Sequence, residues 1–204
     1  MEYFLLALVS SNALVIYLFV VKQKAFFFTL FIALFAIADC SEFLYDFFPS
    51  EISYYLFGNS LFILAYNALL IEVCKDMSLA VVIKKFKYHI LVLFLLTIYG
   101  VASLDEVIGE DEGLFFYFEL LYNTSALVLL FASLIAYFYH ENKKSFFLFI
   151  GILFLIIQEI VAIGFLFVSE TIWLNVIWIL VTTVAFYFLI SQARISYRPK
   201  DFIF

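Results

Sequence analysis

An apolar run, SFFLFIGILFLIIQEIVAIGFLFVS, extends from Ser145 to Ser169 and is long enough to cross a lipid bilayer. Its 23 residues from Phe146 to Val168 would extend roughly 35 Å as a helix. The hydrocarbon core of a bilayer is about 30 Å thick, so such a helix would span it with a slight tilt. Glu159 lies well inside the run, where an acidic side chain is unfavourable by roughly 2.5 to 3.5 kcal/mol. Its carboxyl group therefore needs protein partners, a proton or a water-filled cavity.

The composition of the whole chain indicates a membrane protein. Apolar residues make up 67% of the 204 residues, 29 residues are phenylalanine, and the mean hydropathy is +1.14. A soluble domain is only about 45 to 50% apolar. The first apolar run follows an acidic rather than a basic residue and is too long for a signal peptide, so we interpret it as a retained helix. We predict one polytopic membrane domain over residues 1–204.

Seven apolar segments predict an all-α fold, a bundle of seven transmembrane helices joined by short connections. The six glycines are scattered and the two prolines lie outside the segments, so we expect continuous helices. The segments cover residues 3–21, 25–44, 52–74, 88–104, 114–139, 145–168 and 171–192.

The charged residues are sorted by loop. All eleven basic residues follow the first, third, fifth or seventh segment, whereas the other loops carry acidic residues. Because positive charge accumulates in cytoplasmic loops, this pattern predicts an N-terminus outside and a C-terminus in the cytoplasm. We expect an integral protein of a bacterial inner membrane.

Four of the predicted helices place polar side chains at a similar depth, in the outer half of the membrane, when residues are counted at 1.5 Å each. These side chains predict a polar cavity in the outer half of the bundle. They are Asp39, Glu119, Asn123, Gln158, Glu159 and Asn175. Glu72 differs because it lies near the cytoplasmic end of its segment, one turn from Lys75, and is expected to form an ion pair there.

Two interpretations of the polar residues remain open. Amide side chains often hydrogen-bond between membrane helices and hold them in register, which we favour for Asn123, Gln158 and Asn175. Carboxylic acids inside a membrane are rare and usually mark a functional site, which we favour for Asp39 and Glu159.

The sequence offers no suitable residues for a metal site or for a covalently bound retinal in the outer half of the bundle. Both histidines lie at the cytoplasmic borders of their segments, and the seventh segment contains no lysine for a Schiff base. We therefore expect no metal, no cofactor and no nucleic-acid partner. Acid-base chemistry by carboxyl groups remains.

Three stretches resemble the YhhN-like lysoplasmalogenase family, small polytopic enzymes that hydrolyse the vinyl ether bond of lysoplasmalogens. The stretches are FIALFAIADCSEFLYDFF (31–48), YYLFGNSLFILAYNALLIEV (54–73) and FIGILFLIIQEIVAI (149–163). The resemblance carries the two family aspartates onto Asp39 and Glu159, and the family histidine onto Tyr66, which is therefore also expected to line the cavity. The family usually has eight helices, so one would be missing here.

The leading hypothesis is therefore a membrane hydrolase that acts on a lipid or lysolipid. Glu159, flanked by isoleucine and valine, is expected to keep its proton and act as general acid, and Asp39 to ionise. Glu119, nearer the interface, is expected to modulate the site. Two alternatives stay open: a binding or transport protein, proton-coupled or for a small molecule, that uses the same cavity, and a non-enzymatic subunit whose acids pair with a membrane-protein partner.

Overall fold

The computed structural model describes residues 2–108, 114–165 and 171–195, and within these ranges the chain forms seven α-helices. A short 3-10 helix, Ser41–Phe47, follows the second of them. The helices are α1 Glu2–Val20, α2 Phe26–Cys40, α3 Glu51–Cys74, α4 Leu79–Ile108, α5 Leu114–His140, α6 Lys143–Ile163 and α7 Ile172–Arg194.

The helices follow the predicted segments, with two main differences. The second segment was expected to remain α-helical to residue 44, but α2 ends at Cys40 and tightens into the 3-10 helix. The fourth was expected to begin at 88, but α4 begins at Leu79 and has a non-helical residue, Phe86, at φ −115° and ψ 18°. The sixth was expected to reach 168; α6 extends to Ile163, a π-helical turn follows at residues 164–165, and residues 166–168 lie outside the described part of the chain.

Several charged residues of the sequence pattern lie outside the described structure. They include the acidic residues within 109–113, Glu170, and the tail residues Arg198 and Lys200. The side chain of Glu42 is also outside it.

Two helix starts are fixed by side-chain caps. Ser50 accepts a hydrogen bond from the Ser53 backbone N–H, and the Ser53 hydroxyl accepts one in return from the Ser50 N–H. The carboxamide oxygen of Asn142 accepts from the Ser145 N–H at 2.9 Å. These caps satisfy backbone donors that a helix leaves unpaired at its first turn.

Six helices form a closed ring, and α4 lies outside it. The order around the ring is α1, α2, α3, α5, α6 and α7, with α7 returning to α1, whereas the main helical neighbour of α4 is α5. The ring therefore encloses an interior that α4 does not reach.

A group of buried and partly buried aromatic side chains packs in that interior. The ring of Phe35 on α2 lies 5.0 Å from Phe62 on α3 and 5.3 Å from Phe186 on α7, centroid to centroid. Tyr66 is completely buried beside it, at 6.3 Å. These edge-on and tilted contacts tie three helices together around one point of the ring.

The outer surfaces of the helices are apolar. Four helical stretches of the described chain are long and apolar enough to cross a membrane: Glu51–Cys74, Phe116–His140, Lys143–Ile163 and Ile172–Arg194. Large apolar side chains such as Phe19, Phe26 and Tyr187 are mostly exposed. A soluble protein rarely exposes so much apolar area, so the chain has the properties of an integral membrane protein.

One end of the bundle collects charged side chains from two connections. Lys75 forms the predicted ion pair with Glu72, with a separation of 2.6 Å between Nζ and Oε1. Lys144 and His140, at the α5–α6 connection, lie within electrostatic range of Asp76, at the α3–α4 connection. These connections therefore lie at the same end.

The tightest contact in the ring involves Gly151 on α6. A Cβ atom placed there would lie 2.7 Å from Cγ of Leu189 on α7 and 3.1 Å from its backbone nitrogen. Such distances are too short for real atoms, so any side chain at this position would force α6 and α7 apart.

Gly151→Ala is therefore expected to destabilise the fold by roughly 1–3 kcal/mol, as overpacking in a core does. Gly164→Ala is the matched control, because a Cβ there meets nothing within 4 Å. Thermal unfolding of the two purified variants in detergent should lower the midpoint for Gly151→Ala only. Equal midpoints would show that the α6–α7 contact is looser than described.

Candidate functional site

Gln158 and Glu159 are consecutive on α6, and both reach the interior of the ring. The buried side of α6 includes Ile152, Leu155 and Gln158, at the spacing of one helix face. Glu159 lies next to that face and is partly buried. The apolar residues of the face thus anchor the turn that carries the two polar side chains.

The carboxyl group of Glu159 is held by donors from two helices. The hydroxyl of Tyr66 on α3 donates a short hydrogen bond to Oε1, and Nε2 of Gln158 donates to the same oxygen at 2.6 Å. Tyr122 on α5 also interacts with this carboxyl group. Because both of these described hydrogen bonds end on Oε1, Oε2 is the oxygen that can carry a transferable proton.

Gln158 is itself fixed by α7. Its Oε1 accepts from Nε1 of Trp178 at 2.7 Å and from Oγ1 of Thr182 at 3.1 Å. The indole N–H can only donate, so it fixes which end of the carboxamide is oxygen. The NH₂ group of Gln158 must then face Glu159, and the network connects α3, α6 and α7.

Asp39 reaches the interior from the last turn of α2. Its charge and that of Glu159 are close enough to interact, and the Ser10 hydroxyl of α1 lies beside it. Ser10 is completely buried and has the carbonyl groups of Leu6 and Ala7 as acceptors at 3.3 Å each. These distances are long for an O–H donor, so the serine is available to Asp39.

Glu119 completes the set of acids. Its Oε1 accepts a hydrogen bond from the hydroxyl of Tyr55 on α3 at 2.7 Å. This bond orients the carboxyl group at the α3–α5 contact and leaves its second oxygen for another partner.

The three acids line one cavity of about 250 Å³ inside the ring. All six helices of the ring contribute, together with aromatic rings, and the lining contains no lysine, arginine or histidine. The lining residues are Leu6, Phe35, Asp39, Tyr55, Asn59, Phe62, Glu119, Tyr122, Asn123, Gln158, Glu159, Ala162, Ile163, Trp178 and Thr182.

Five of the residues predicted from depth lie together in this lining: Asp39, Glu119, Asn123, Gln158 and Glu159. Two predicted cavity residues do not line it. Tyr66 is enclosed behind Glu159 and contacts the site through its hydroxyl. Asn175 is buried one turn before Trp178 on α7, and its Oδ1 has no hydrogen-bond partner among the described residues.

The sequence interpretation missed five polar residues of the lining, Tyr55, Asn59, Tyr122, Trp178 and Thr182. Spacing offered a signal for two of them, because Asn175, Trp178 and Thr182 recur at i, i+3 and i+7 and therefore share one face of α7. Tyrosine and tryptophan are also common at membrane interfaces, so their presence alone did not indicate a site.

The lining favours proton transfer or binding of a positive charge. Carboxyl groups donate and accept protons, and acids with aromatic faces attract cations. In the parts of the chain that the structure describes, no three metal-ligating side chains come together.

Comparison of the chain with protein-family models, with curated proteins and with solved structures finds no match in any of the three. The resemblance to the YhhN-like family stays a prediction from the three stretches of sequence.

Trp178→Phe is expected to destabilise the protein by about 1 kcal/mol, because Gln158 loses one of its two described donors. Trp173→Phe is the matched control, since Trp173 is 75% exposed on the same helix. Thermal unfolding of both variants in detergent measures the difference. Loss of stability in both, or in neither, would contradict the role of the indole N–H.

Proposed function

We infer that the protein is a membrane-embedded hydrolase of the YhhN-like lysoplasmalogenase type, acting on the vinyl ether of a lysolipid. The observation that carries this proposal is that Asp39 and Glu159, from different helices, line the same cavity. The two acids have different surroundings: three side chains surround the Glu159 carboxyl group, whereas Asp39 lies beside a serine. Two acids in unlike environments can divide the roles of general acid and base.

In the proposed reaction, Glu159 donates the proton on Oε2 to the vinyl carbon that is not bonded to oxygen. The double bond supplies the electron pair, and an oxocarbenium ion forms at the neighbouring carbon. Asp39 accepts a proton from a water molecule as that water attacks the cation, which gives a hemiacetal.

The hemiacetal then breaks down. Its C–O bond to glycerol cleaves, Asp39 returns its proton to the departing oxygen, and the hydroxyl proton restores Glu159. One water is consumed, and a free aldehyde and a glycerophospho head group are released.

Tyr66 and Gln158 are proposed to orient the acid. Both donate to Oε1 of Glu159, so they hold the carboxyl group in one rotamer and keep Oε2 for the substrate. Donors to Oε1 also stabilise the carboxylate that remains after proton transfer.

The proposed topology is seven membrane crossings with the N-terminus outside, in a bacterial inner membrane. The charged end formed by the α3–α4 and α5–α6 connections would lie in the cytoplasm, since it carries basic residues. The acids of the cavity would then lie in the outer half.

Labelling of single-cysteine variants tests this topology. In a background with Cys40 and Cys74 replaced by alanine, a cysteine at Phe47 is expected to react with a membrane-impermeant maleimide on intact cells. A cysteine at Asp76 is expected to react only after the cells are opened. Phe47 and Asp76 are both exposed in the structure, so a cysteine at either position can be reached from the water. The reverse pattern would overturn the orientation.

Aldehyde release from choline or ethanolamine lysoplasmalogens tests the activity. Glu159→Gln keeps the shape of the side chain but has no acidic proton, so release should fall at least about 100-fold. Asp46→Asn is the matched control, because Asp46 is an exposed acid outside the cavity. No release by the wild type, or equal release by Glu159→Gln, would disprove the proposal.

The Glu119→Gln variant tests whether Glu119 only modulates the site or takes part in the reaction itself. Its amide oxygen can still accept from Tyr55, so we expect measurable turnover with an altered KM. Complete loss of turnover in a correctly folded variant would place Glu119 in the catalytic set.

A second candidate is a binding or proton-coupled transport protein for a small cation. The observation that favours it is the lining itself, which combines three acids with aromatic rings and has no basic side chain. Saturable binding of choline by purified protein that releases no aldehyde, weakened in Glu119→Gln, would support this function over hydrolysis.

A further inference from the structure

A long groove runs along the outside of the ring where α1 meets α7. It has a volume of about 510 Å³. It is separate from the acidic cavity, because neighbouring residues point to opposite sides: Leu6 and Thr182 line the cavity, whereas Leu5 and Thr183 line the groove. The groove therefore faces outward from the bundle.

The groove is apolar along most of its length and charged at one end. Its α1 wall extends from Leu5 to Val20, which is about 24 Å of helix. Thr183 donates its hydroxyl to the carbonyl of Ile179 at 2.8 Å, so it adds little polarity. The walls are Leu5, Leu8, Val9, Asn12, Ala13, Ile16, Val20, Ile179, Thr183, Phe186, Tyr187, Ile190, Ser191 and Arg194.

Arg194 is the only charged residue of this lining. It is the last residue of α7, it is exposed, and Ser191 lies one turn before it on the same wall. Among the described residues, no carboxylate forms an ion pair with Arg194. A guanidinium group binds phosphate through paired hydrogen bonds, and a nearby hydroxyl adds another donor.

The arrangement of a charged end followed by apolar walls matches the shape of a phospholipid. A phospholipid has a phosphate at one end and a long hydrocarbon chain beyond it, and the groove has a cation at one end and about 24 Å of mainly apolar wall beyond it. Because the described lining contains no acid, a negative head group meets no like charge from these walls.

We propose that the α1–α7 groove binds one anionic phospholipid, with its phosphate on Arg194 and an acyl chain along the apolar walls. The site lies at the end of the bundle that carries the other basic connections. α1 has only α2 and α7 as its main helical neighbours, so a lipid in this groove would hold α1 against α7 and keep the ring closed. The site is independent of the acids and of the proposed hydrolysis.

Native mass spectrometry of the purified full chain tests the proposal. The protein is titrated in detergent with phosphatidylglycerol and, separately, with phosphatidylethanolamine. We expect one bound phosphatidylglycerol in preference, with about tenfold weaker binding for Arg194→Gln, the size of a lost charged hydrogen bond. Lys84→Gln removes an exposed charge from α4, away from the groove, and should bind as the wild type does.

Thr183→Trp fills the groove without touching Arg194 and should prevent binding of both lipids. Phosphatidylglycerol should raise the unfolding midpoint of the wild type and of Lys84→Gln, but not of Thr183→Trp. Equal binding by Arg194→Gln and Lys84→Gln would overturn the phosphate site. A dimer that forms without lipid and dissociates in Thr183→Trp would show that a second copy occupies the groove instead.

Discussion

The burial of one carboxyl group in an apolar bundle is the constraint on which the rest of the structure depends. Glu159 has no cation near it in the cavity, so its polar atoms must be satisfied by neutral donors. Those donors come from Tyr66 on α3 and from Gln158, whose own oxygen is held by Trp178 and Thr182 on α7. A shift of any of the three helices by one turn would leave a buried polar group unpaired, so the network fixes their register as well as the site.

Apolar packing sets the distances at which this network can form. Gly151 lets α6 approach α7 so closely that Leu189 occupies the space of a side chain, and Phe35 fills the centre against Phe62 and Phe186. The close approach brings Gln158 within hydrogen-bonding distance of α7. Phe35 and Phe62 of the aromatic group also form part of the cavity wall, so the same packing shapes the space beside the acids.

The depth of the polar side chains along their helices was predictable from the sequence. Which helices lie next to one another was not. Counting residues from the helix ends placed Asp39, Glu119 and Glu159 at one level, because the rise of a helix is constant. The order of helices around the ring depends on side-chain packing between neighbouring segments, which hydropathy does not report. Tyr66 was therefore assigned to the cavity lining, although it lies behind Glu159, and Asn175 was assigned by depth alone. The early start of α4 was missed because its first residues are rich in lysine.

The identity of residue 66 limits what chemistry the site can perform. The resemblance to the YhhN-like family places a histidine at this position, and histidine can gain or lose a proton near neutral pH. Tyrosine stays neutral in that range and acts here as a donor to Glu159. A tyrosine can therefore hold the acid in place but cannot replace its proton during turnover. In the proposed hydrolysis, the proton cycle would run between Glu159, Asp39 and water. The proposed hydrolysis would then depend on the second oxygen of Glu159 and on the serine beside Asp39.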